Sequence, residues 1–363
     1  MAIRFDHETR AQRVVFAAGS ARTELAEEVA RLGGGRVLLI ASRRERPLAE
    51  SLVAGLPVVD TFDGVRMHVP IEVAERARHR AAEVRADLLL SIGGGSTTGT
   101  AKAIALTSGL PILAVPTTYA GSEATSVWGL TEQARKTTGT DLRVLPRTVV
   151  YDPELSANLP PDLTVASGLN ALAHSVDTQW APKADPINTA LGLEGARALV
   201  RGLREVTVDR AGLDGRSRLL YGAYLAGVGF ASAGSGLHHK ICHILGGSWN
   251  LPHAHTHAVV LPHVLAFNAS SAPEASRRLA EVFGDVDAVV GLLALYVDLD
   301  APRSLQALGL PEAALPEAAA LVAAAAPPDN PRPVTEDAME RLLRRAWTGA
   351  RPQSDLDQEP ARD

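Results

Sequence analysis

The chain has 363 residues, of which 46% are hydrophobic, and a formal net charge of −5. This length exceeds what one hydrophobic core usually organises, so two domains are expected. Lysine and arginine are scattered, which argues against the basic stripe of a nucleic-acid-binding protein. The N-terminus lacks an apolar signal segment, apolar runs are too short to span a bilayer, and Cys242 is the single cysteine. We expect a globular cytoplasmic protein without a nucleic-acid or membrane partner.

Short β-rich apolar runs alternate with helical stretches in the first 150 residues. Strands are predicted over residues 37–40, 88–92, 112–115 and 148–151. Residues 37–40 are expected to form the first strand. A helix is predicted over residues 73–84, which combine Ala, Glu and Arg with apolar spacing. Continuous apolar strands are typical of a parallel sheet with helices on both faces. This pattern predicts an α/β dinucleotide-binding domain.

Strand signals fade from residue 162 onward. Ala/Leu-rich stretches over residues 189–203 and 217–228 are typical of helices joined by Pro and Gly. Prolines interrupt both helix and central strand just before this region, which places the boundary near Pro160. The prediction is an α/β domain over residues 1–160, an all-helical substrate domain over residues 161–350, and a disordered polar tail over residues 351–363.

A glycine-rich loop follows the strand predicted at residues 88–92. Gly93, Gly94, Gly95 and Ser96 open a helical segment. Small residues let the backbone approach a pyrophosphate, while free N–H groups and the helix dipole favour its negative charge. The spacing departs from G-x-G-x-x-G because Gly99 comes one residue late, so a purely structural turn is the alternative.

A second loop of small polar residues follows the strand at residues 112–115. It contains Thr117, Thr118 and Ser122. Carboxyl ends of adjacent parallel strands border one crevice, where open α/β sheets bind ligands. The two loops are therefore expected to line one dinucleotide site.

The first predicted strand runs into Ser42, Arg43 and Arg44, where many dinucleotide enzymes place an acid against the adenosine ribose. These three residues leave that acidic role unfilled. Arginine can bind a 2′-phosphate bidentately, so NADPH is expected alongside NADH. A solvated basic turn is the alternative.

Seven of the eleven histidines lie between His238 and His263. His239 and His243 are four residues apart, as are Asn170 and His174, so each pair shares one helical face. The two pairs are expected to point into one cleft. Three histidines with an acid would suit a divalent metal, whereas a buried structural role is the alternative for each histidine.

The Gly-Gly-Gly-Ser loop, followed by Pro-Thr-Thr and Gly-Ser-Glu, resembles the cofactor site of iron-containing alcohol dehydrogenases. The resemblance implies that these residues hold NAD(P), in a dehydroquinate synthase-like fold of an α/β domain and an α-helical domain. Metal-dependent members bind their ion with an Asp-x-x-x-His motif and two further histidines. The matching positions are Asn170, His174, His239 and His253. Because Asn170 is neutral where the family has an acid, no metal is expected.

Further motifs resemble the maleylacetate reductases, a metal-independent branch of that superfamily. They are Gly-Leu-His-His-Lys-Ile-Cys-His from Gly236 and Thr-His-Ala-Val-Val-Leu-Pro-His from Thr256. Gly99 supports the resemblance, since metal-dependent relatives usually carry Asp there, whereas His255 departs from it, since an acid is expected. The resemblance spans roughly residues 10–347. It implies a homodimer that uses NADH or NADPH to reduce the carbon–carbon double bond of maleylacetate, a small dicarboxylate, to 3-oxoadipate in aromatic-compound catabolism.

With this resemblance, His243 and His253 are the predicted catalytic residues. His243 is the leading general acid, because histidine can donate a proton near neutral pH. The residues expected to contact substrate are Asn170, His174, His239, Tyr119 and Lys240. The residues expected to bind the cofactor are Ser42, Arg43, Gly93, Gly94, Gly95, Ser96, Thr117, Thr118 and Ser122. Cys242 is expected to pack in the interior and not to act as a nucleophile.

Three other functions stay open at this point. A metal-dependent alcohol or polyol dehydrogenase would use Asn170 as a tolerated ligand, and metal analysis would identify it. A lyase resembling 3-dehydroquinate synthase would use NAD⁺ without net turnover, so net NADH consumption would exclude it. A noncatalytic nucleotide sensor would bind cofactor without turnover.

Overall fold

The computed structural model of the protein describes residues 3–133 and 135–353. Its strands are β1 (Arg13–Phe16), β2 (Val37–Ile40), β3 (Val58–Phe62), β4 (Leu88–Gly93), β5 (Ile112–Pro116), β6 (Val127–Glu132), β7 (Arg135–Thr140) and β8 (Thr148–Tyr151). Within the described residues, six of them form one parallel sheet in the order β1-β8-β5-β4-β2-β3. The strands β6 and β7 form a separate antiparallel hairpin.

The four predicted strands are confirmed as β2, β4, β5 and β8, and all of their residues are buried. Two strands of the sheet, β1 and β3, were not predicted from the sequence. They lie at the two edges, where mixed exposure and residues such as Arg13 and Asp60 hide the apolar pattern. The strand at Val37–Ile40, expected to be the first, is therefore the second along the chain.

The helices associated with the sheet are α1 (Ser20–Thr23), α2 (Leu25–Arg31), α3 (Arg46–Leu52), α4 (Ile71–Glu83) and α5 (Gly95–Ser108). The later helices are α6 (Pro161–Asp177), α7 (Pro186–Val208), α8 (Leu213–Ala233), α9 (Leu237–Trp249), α10 (His253–Ala269), α11 (Pro273–Phe283), α12 (Ala288–Asp298), α13 (Leu315–Ala325) and α14 (Glu336–Thr348). Prolines open α6, α7 and α11, where the missing N–H costs nothing. The fold class predicted from the sequence, a parallel α/β region followed by a helical region, is confirmed.

The largest cluster of buried apolar side chains is shared between the sheet and the helical region. Leu38 and Leu89 of the sheet belong to the same cluster as Leu172, Leu199 and Leu220 of α6, α7 and α8. A second cluster joins α9, α10, α13 and α14. Helix α6 packs against α7, α8 and α10, and it is buried along nearly its whole length. It therefore forms a rigid support for the polar side chains that it carries.

The last strand of the sheet ends at Tyr151 and α6 begins at Pro161, while the domain boundary near Pro160 stays a prediction. The tail predicted to be disordered, residues 351–363, lies outside the described residues from 354 onward. Among the described helices, none combines the length and hydropathy needed to cross a bilayer.

Candidate active site

A cavity of about 770 Å³ connects the two predicted loops with the histidine cluster. At one end its walls include Ser42, Gly94, Gly95, Ser96, Thr117, Thr118 and Ser122. At the other end its walls include Asn170, His174, His239, His243 and His253. The structure thus brings most of the predicted cofactor and substrate residues to one cavity.

The glycine loop begins where β4 ends. Gly93 has a φ of 154°, and a Cβ there would lie 2.5 Å from both Glu45 Oε2 and Thr97 Oγ1, so only glycine fits. Gly93, one of the residues expected to bind the cofactor, therefore supports the loop from the protein side and does not line the cavity. At the start of α5, the N–H groups of Gly95 and Ser96 donate to no acceptor among the described residues. These free donors can bind a phosphate.

The two loops pack directly against each other. Strands β4 and β5 are neighbours, and the Thr117 N–H donates to the Gly93 carbonyl at 3.1 Å. A Cβ on Gly94 would lie 3.1 Å from Thr118 Cγ2, and one on Gly95 would lie 3.0 Å from the Ala120 Cβ. The prediction that the loops border one crevice is confirmed.

An acidic side chain lies at this edge of the sheet, where the sequence suggested none. The Glu45 carboxylate accepts hydrogen bonds from the Ser42 hydroxyl at 2.8 Å, the Gly94 N–H at 3.1 Å and the Thr117 hydroxyl at 2.8 Å. The sequence prediction considered residues 42–44 at this turn and not Glu45, and the view that the ribose-binding acid is absent stays a prediction. The turn after β2 brings Glu45 beside the glycine loop, because it continues into the first residues of α3.

Arg43 was predicted to contact the cofactor, but the structure leaves it outside the cavity. All three arginines, Arg43, Arg44 and Arg66, are exposed, but Arg44 and Arg66 line the cavity wall and Arg43 does not. Neighbouring residues in a turn point in different directions, so the sequence alone could not select between the two arginines. Of these arginines, Arg44 and Arg66 are therefore the ones placed to reach a molecule in the cavity.

At the opposite end of the cavity, α6, α9 and α10 each contribute polar side chains. The rings of His174 and His239 stack with centroids 4.7 Å apart, and those of His243 and His253 are nearly parallel at 6.3 Å. The Asn170 Nδ2 approaches the Ala120 carbonyl at 3.5 Å, whereas its buried Oδ1 has no partner among the described residues. The prediction that both pairs face one cleft is confirmed.

Asp177 holds His239 from behind the cavity wall. The His239 Nδ1–H donates to the Asp177 Oδ2 at 2.6 Å, and the Gly236 N–H donates to the same oxygen at 3.2 Å. Burial raises the pKa of Asp177 to about 6 and lowers the pKa of His239 to about 3. At neutral pH the pair is therefore a carboxylate and a neutral imidazole, whose unpaired Nε2 is a hydrogen-bond acceptor.

Asp177 was not identified from the sequence, although a signal for it existed. It lies seven residues after Asn170 and three after His174, so that all three share one face of α6. Extending the helical face by one turn beyond His174 would have included it.

Burial keeps three further cavity histidines neutral. The pKa values of His174, His243 and His253 lie well below the usual histidine value, chiefly because burial disfavours the charged form. For His243 and His253 the next cause is the positive charge of Lys136. At neutral pH each ring can donate from one nitrogen and accept at the other.

Lys136, on β7, lines the cavity and was missed by the sequence analysis. Among the described residues, no oxygen accepts a hydrogen bond from its ammonium group. Burial lowers its pKa to about 8, which leaves the amine mostly protonated at pH 7. No sequence pattern pointed to Lys136, because it belongs to a polar hairpin without a recognisable motif.

His68 is a second cavity residue that the sequence analysis missed. It lies in the loop between β3 and α4 with a φ of 61°, a conformation that is uncommon outside glycine. Its Nε2–H donates to the Leu251 carbonyl at 3.1 Å, and its ring lies edge-on to His253 with centroids 6.1 Å apart. A single histidine far from the cluster along the chain offered no pattern to detect.

Two predicted substrate residues, Tyr119 and Lys240, do not line the cavity. The Tyr119 ring is fully buried, and its hydroxyl donates to Ser156 Oγ at 3.3 Å and accepts from Arg216 at 3.0 Å. Lys240 follows His239 on α9 and is rotated about 100° around the helix axis away from it. Both assignments are therefore corrected. His255 does line the cavity, with its Nε2 3.8 Å from a carboxylate oxygen of Asp162.

A group of side chains behind the cavity wall fits the structural alternative. His238 and His257 are fully buried and share a hydrogen bond of 2.9 Å between Nε2 and Nδ1. The Cys242 Sγ lies 3.7 Å from His238 Nε2, and burial raises the pKa of this thiol well above its usual value. Cys242 is thus packed in the interior as predicted.

The parallel sheet, its phosphate-type loop and the polar helical face opposite it define a class of nucleotide-dependent enzymes. The family model of iron-containing alcohol dehydrogenase matches residues 11–153, and that of the C-terminal region of the Fe-containing alcohol dehydrogenase family matches residues 164–347. The chain belongs to the iron-containing alcohol dehydrogenase family.

Within that family the similarity to maleylacetate reductases is extensive. Maleylacetate reductase from Burkholderia cepacia is 46% identical over 350 residues, which cover 96% of this chain and 99% of that protein. The crystal structure of maleylacetate reductase from Agrobacterium tumefaciens has a TM-score of 0.90 at 41% identity, covering 97% and 100% of the two chains. An iron-containing alcohol dehydrogenase structure from Corynebacterium glutamicum has a TM-score of 0.92 at 54% identity, covering 96% and 98%. The resemblance seen in the sequence motifs is confirmed.

Proposed function

We propose that the protein is a maleylacetate reductase, an oxidoreductase that uses NADH or NADPH to reduce the carbon–carbon double bond of maleylacetate to 3-oxoadipate in aromatic-compound catabolism. The observation that carries the proposal is the composition of the histidine end of the cavity. Neutral imidazoles, the Asn170 amide and the Lys136 ammonium meet there. The described residues that line this end include no carboxylate, whereas Glu45 lies at the glycine-loop end. Such a site favours a dianion, and the relative from Burkholderia cepacia acts on one.

The loops at the other end of the cavity supply the cofactor site. The free N–H groups of Gly95 and Ser96 are suited to the pyrophosphate. Thr117, Thr118 and Ser122 lie between that loop and the histidines, so they would border the nicotinamide end. When bound, NADH or NADPH supplies the hydride.

The reaction explains why hydrogen-bond donors are needed. A hydride added to the alkene carbon farther from the ketone drives the π electrons onto the keto oxygen as an enolate. Donors placed near that oxygen stabilise the developing charge, and the Asn170 Nδ2–H₂ and a ring N–H of His174 are available in the cavity. Protonation of the carbon next to the ketone then completes the reduction.

We assign that proton transfer to His243, with His253 beside it. His243 is neutral in this cavity, since burial and Lys136 lower its pKa. The carboxylates of a bound substrate favour the imidazolium form, because an opposite charge nearby raises a histidine pKa. Substrate binding would therefore charge His243 when a proton is needed.

The iron implied by the family name does not fit the residues present. Three neutral imidazoles and the neutral Asn170 amide offer no negative charge to a dication, and Lys136 adds a positive one. Asp177 is occupied by His239 and Gly236 behind the wall. We therefore propose that catalysis needs no metal.

An assay of NADH oxidation with fresh maleylacetate, run with and without extensive chelation, tests the proposal. The expected result is stoichiometric NADH consumption that chelation leaves unchanged. Activity that chelation abolishes and Fe²⁺ or Zn²⁺ restores would instead indicate a metal-dependent dehydrogenase. Cofactor binding without NADH consumption would indicate the nucleotide sensor or the lyase.

The homodimer implied by the family resemblance is also part of the proposal. Sedimentation equilibrium of the full chain should give about twice the chain mass of 38.2 kDa. A mass equal to that of one chain would contradict it.

A further inference from the structure

Two lysines near the cavity differ in their surroundings: Lys102 is buried, whereas Lys136 is half-buried. The Lys102 ammonium donates to the carbonyls of Ser122, Thr125 and Val127 at 2.6, 2.8 and 2.8 Å, and to the Thr125 hydroxyl at 3.0 Å. The Lys136 ammonium has no such acceptor among the described residues, although the residue lines the cavity. A half-buried ammonium without a protein acceptor is free to donate its hydrogen bonds to a ligand in the cavity.

The surrounding backbone gives the Lys136 side chain a defined path. A Cβ on Gly129 of β6 would lie 3.0 Å from Lys136 Cε, and one on Gly247 of α9 would lie 3.0 Å from Lys136 Cβ. Glycines on both sides thus let the hairpin and α9 close around the aliphatic stem. The ammonium is thereby held at the histidine end of the cavity.

The charge of Lys136 acts on several of the cavity histidines. After burial, it is the largest cause of the lowered pKa values of His239, His243 and His253. No acidic side chain among the described lining residues neutralises it at that end of the cavity. The cavity therefore holds an uncompensated positive charge beside the histidines, which a carboxylate would neutralise.

We propose that Lys136 binds a carboxylate of the dicarboxylate substrate and selects dianions over the neutral carbonyl compounds on which alcohol dehydrogenases act. This inference rests on the proposed function for the identity of the substrate. The ammonium provides up to three donors and a full charge to a carboxylate. The substrate contact predicted from the sequence for Lys240 is thus assigned to Lys136.

Two variants separate charge from shape. Lys136→Met keeps most of the stem and removes the charge, whereas Lys136→Arg keeps the charge. Losing a charge-assisted hydrogen bond should raise KM for maleylacetate about 10- to 100-fold in Lys136→Met. Lys136→Arg should recover part of the loss, and NADH affinity should be unchanged in both. Lys183→Met, at an exposed position away from the cavity, is the matched control.

Adipate distinguishes failure of this inference from failure of the proposed function, because it is a saturated six-carbon dicarboxylate that cannot accept hydride. Calorimetry should detect adipate binding to wild type in the presence of NAD⁺. The Kd for adipate should be at least about 10-fold higher in Lys136→Met. Adipate binding that depends on Lys136, without turnover of maleylacetate, would overturn only the proposed function. Maleylacetate turnover with an unchanged KM in Lys136→Met would overturn only the inference.

A measurement on the wild-type protein covers the case in which the variants fail to fold. An amine-directed reagent followed by mass spectrometry reports the reactivity of each lysine. Saturating adipate should protect Lys136 and leave Lys183 equally reactive. Equal labelling of Lys136 with and without bound adipate would overturn the inference.

Discussion

At the scale of single residues, two atoms without a partner among the described residues, Asn170 Oδ1 and His239 Nε2, determine much of the chemistry of the cavity. Asn170 presents an amide oxygen without a partner where a carboxylate would present a negative charge. The Nε2 of His239 also lacks a partner, and its Nδ1–H is fixed by Asp177, the tautomer that a metal ligand requires. The missing component of a metal site is therefore the charge at residue 170.

Asn170→Asp should create metal affinity, because it adds a carboxylate beside three imidazoles. After incubation with Zn²⁺ and gel filtration, elemental analysis should show close to one bound ion per chain, against far less in wild type. The double variant Asn170→Asp with His239→Ala should lose the ion again. No increase in bound metal would mean that these side chains do not converge on one point.

His243→Gln should lower kcat by about 100-fold or more, the usual contribution of a positioned acid. The Kd for NADH, measured by fluorescence, should change little, because His243 lies at the far end of the cavity from the glycine loop. The exposed His79→Gln is the control. Wild-type turnover in His243→Gln would assign His243 a structural role.

Glu45→Gln should shift the cofactor preference toward NADPH. The carboxylate lies beside the glycine loop, and its charge opposes the extra phosphate of NADPH more than it opposes NADH. The ratio of kcat/KM values, NADPH over NADH, should rise by about 5-fold or more, corresponding to roughly 1 kcal/mol. Glu50→Gln on the adjoining helix α3, where the carboxylate pairs with Arg46, is the control. An unchanged ratio would place the adenosine pocket away from Glu45.

Sequence patterns identified the site residues that recur on helical faces and in loops after strands. The spacing of Asn170 with His174, and of His239 with His243, is enough to predict that each pair shares a face. Glu45 and Lys136 were not predicted because neither belongs to a sequence motif with other site residues. Each is brought to the cavity by the tertiary fold. No local pattern encodes such a contact.

At the scale of elements, the loop from β3 to α4 connects the sheet with the histidine end of the cavity. Its residues His68 and Val69 both have positive φ values, 61° and 46°, which is unusual for a β-branched residue. A Cβ on Gly99 would lie 2.9 Å from Val69 Cγ2. Gly99 on α5 therefore makes room for the loop that positions His68.

Gly99→Ala should displace this loop, because its new methyl group overlaps Val69. We expect a loss of stability of about 1–3 kcal/mol and a raised KM for maleylacetate, since His68 moves with the loop. Adding Val69→Ala should restore much of the KM by removing the clashing methyl groups. Denaturant unfolding and steady-state kinetics measure the two effects. A KM equal to that of wild type in Gly99→Ala would show that the loop does not support the site.

The hydrophobic pattern identified buried strands and long helices, but it failed at the sheet edges and in the hairpin. Strand β1 has two half-exposed central residues between exposed ends, so its burial gives no clear period. The hairpin β6–β7 is largely polar, and its pairing depends on contacts with α4, α5 and α9. Such elements are specified by what they pack against.

At the scale of the whole molecule, the sequence predicts two regions, whereas the structure shows a core that they share. Apolar residues of the sheet and of α6 belong to one buried cluster. Sequence composition changes at the junction, but composition does not show which faces pack together. The same shared interior encloses many titratable groups, so folding and protonation are coupled.

The buried histidines should make the protein acid-sensitive. Burial lowers the pKa of His238, His239 and His263 to about 3, whereas an unfolded histidine has a pKa of about 6.5. Below pH 6.5 the unfolded chain takes up protons that the folded chain does not. The stability contributed by each such histidine is therefore present above pH 6.5 and lost as the pH falls toward 3, by about 1.4 kcal/mol per pH unit.

Asp177 acts in the opposite direction, because its folded pKa of about 6 lies above the unfolded value of about 3.9. It offsets one histidine between these values, whereas burial lowers the pKa of several more, namely His174, His243, His253 and His257. The net expectation is a Tm that falls by about 10 °C or more from pH 7 to pH 5, measured by calorimetry. His263→Leu should reduce the dependence of Tm on pH by the contribution of one histidine. His263 suits this test because it is buried away from the cavity. A Tm that stays constant over this range would mean that the histidine interior takes up protons without unfolding.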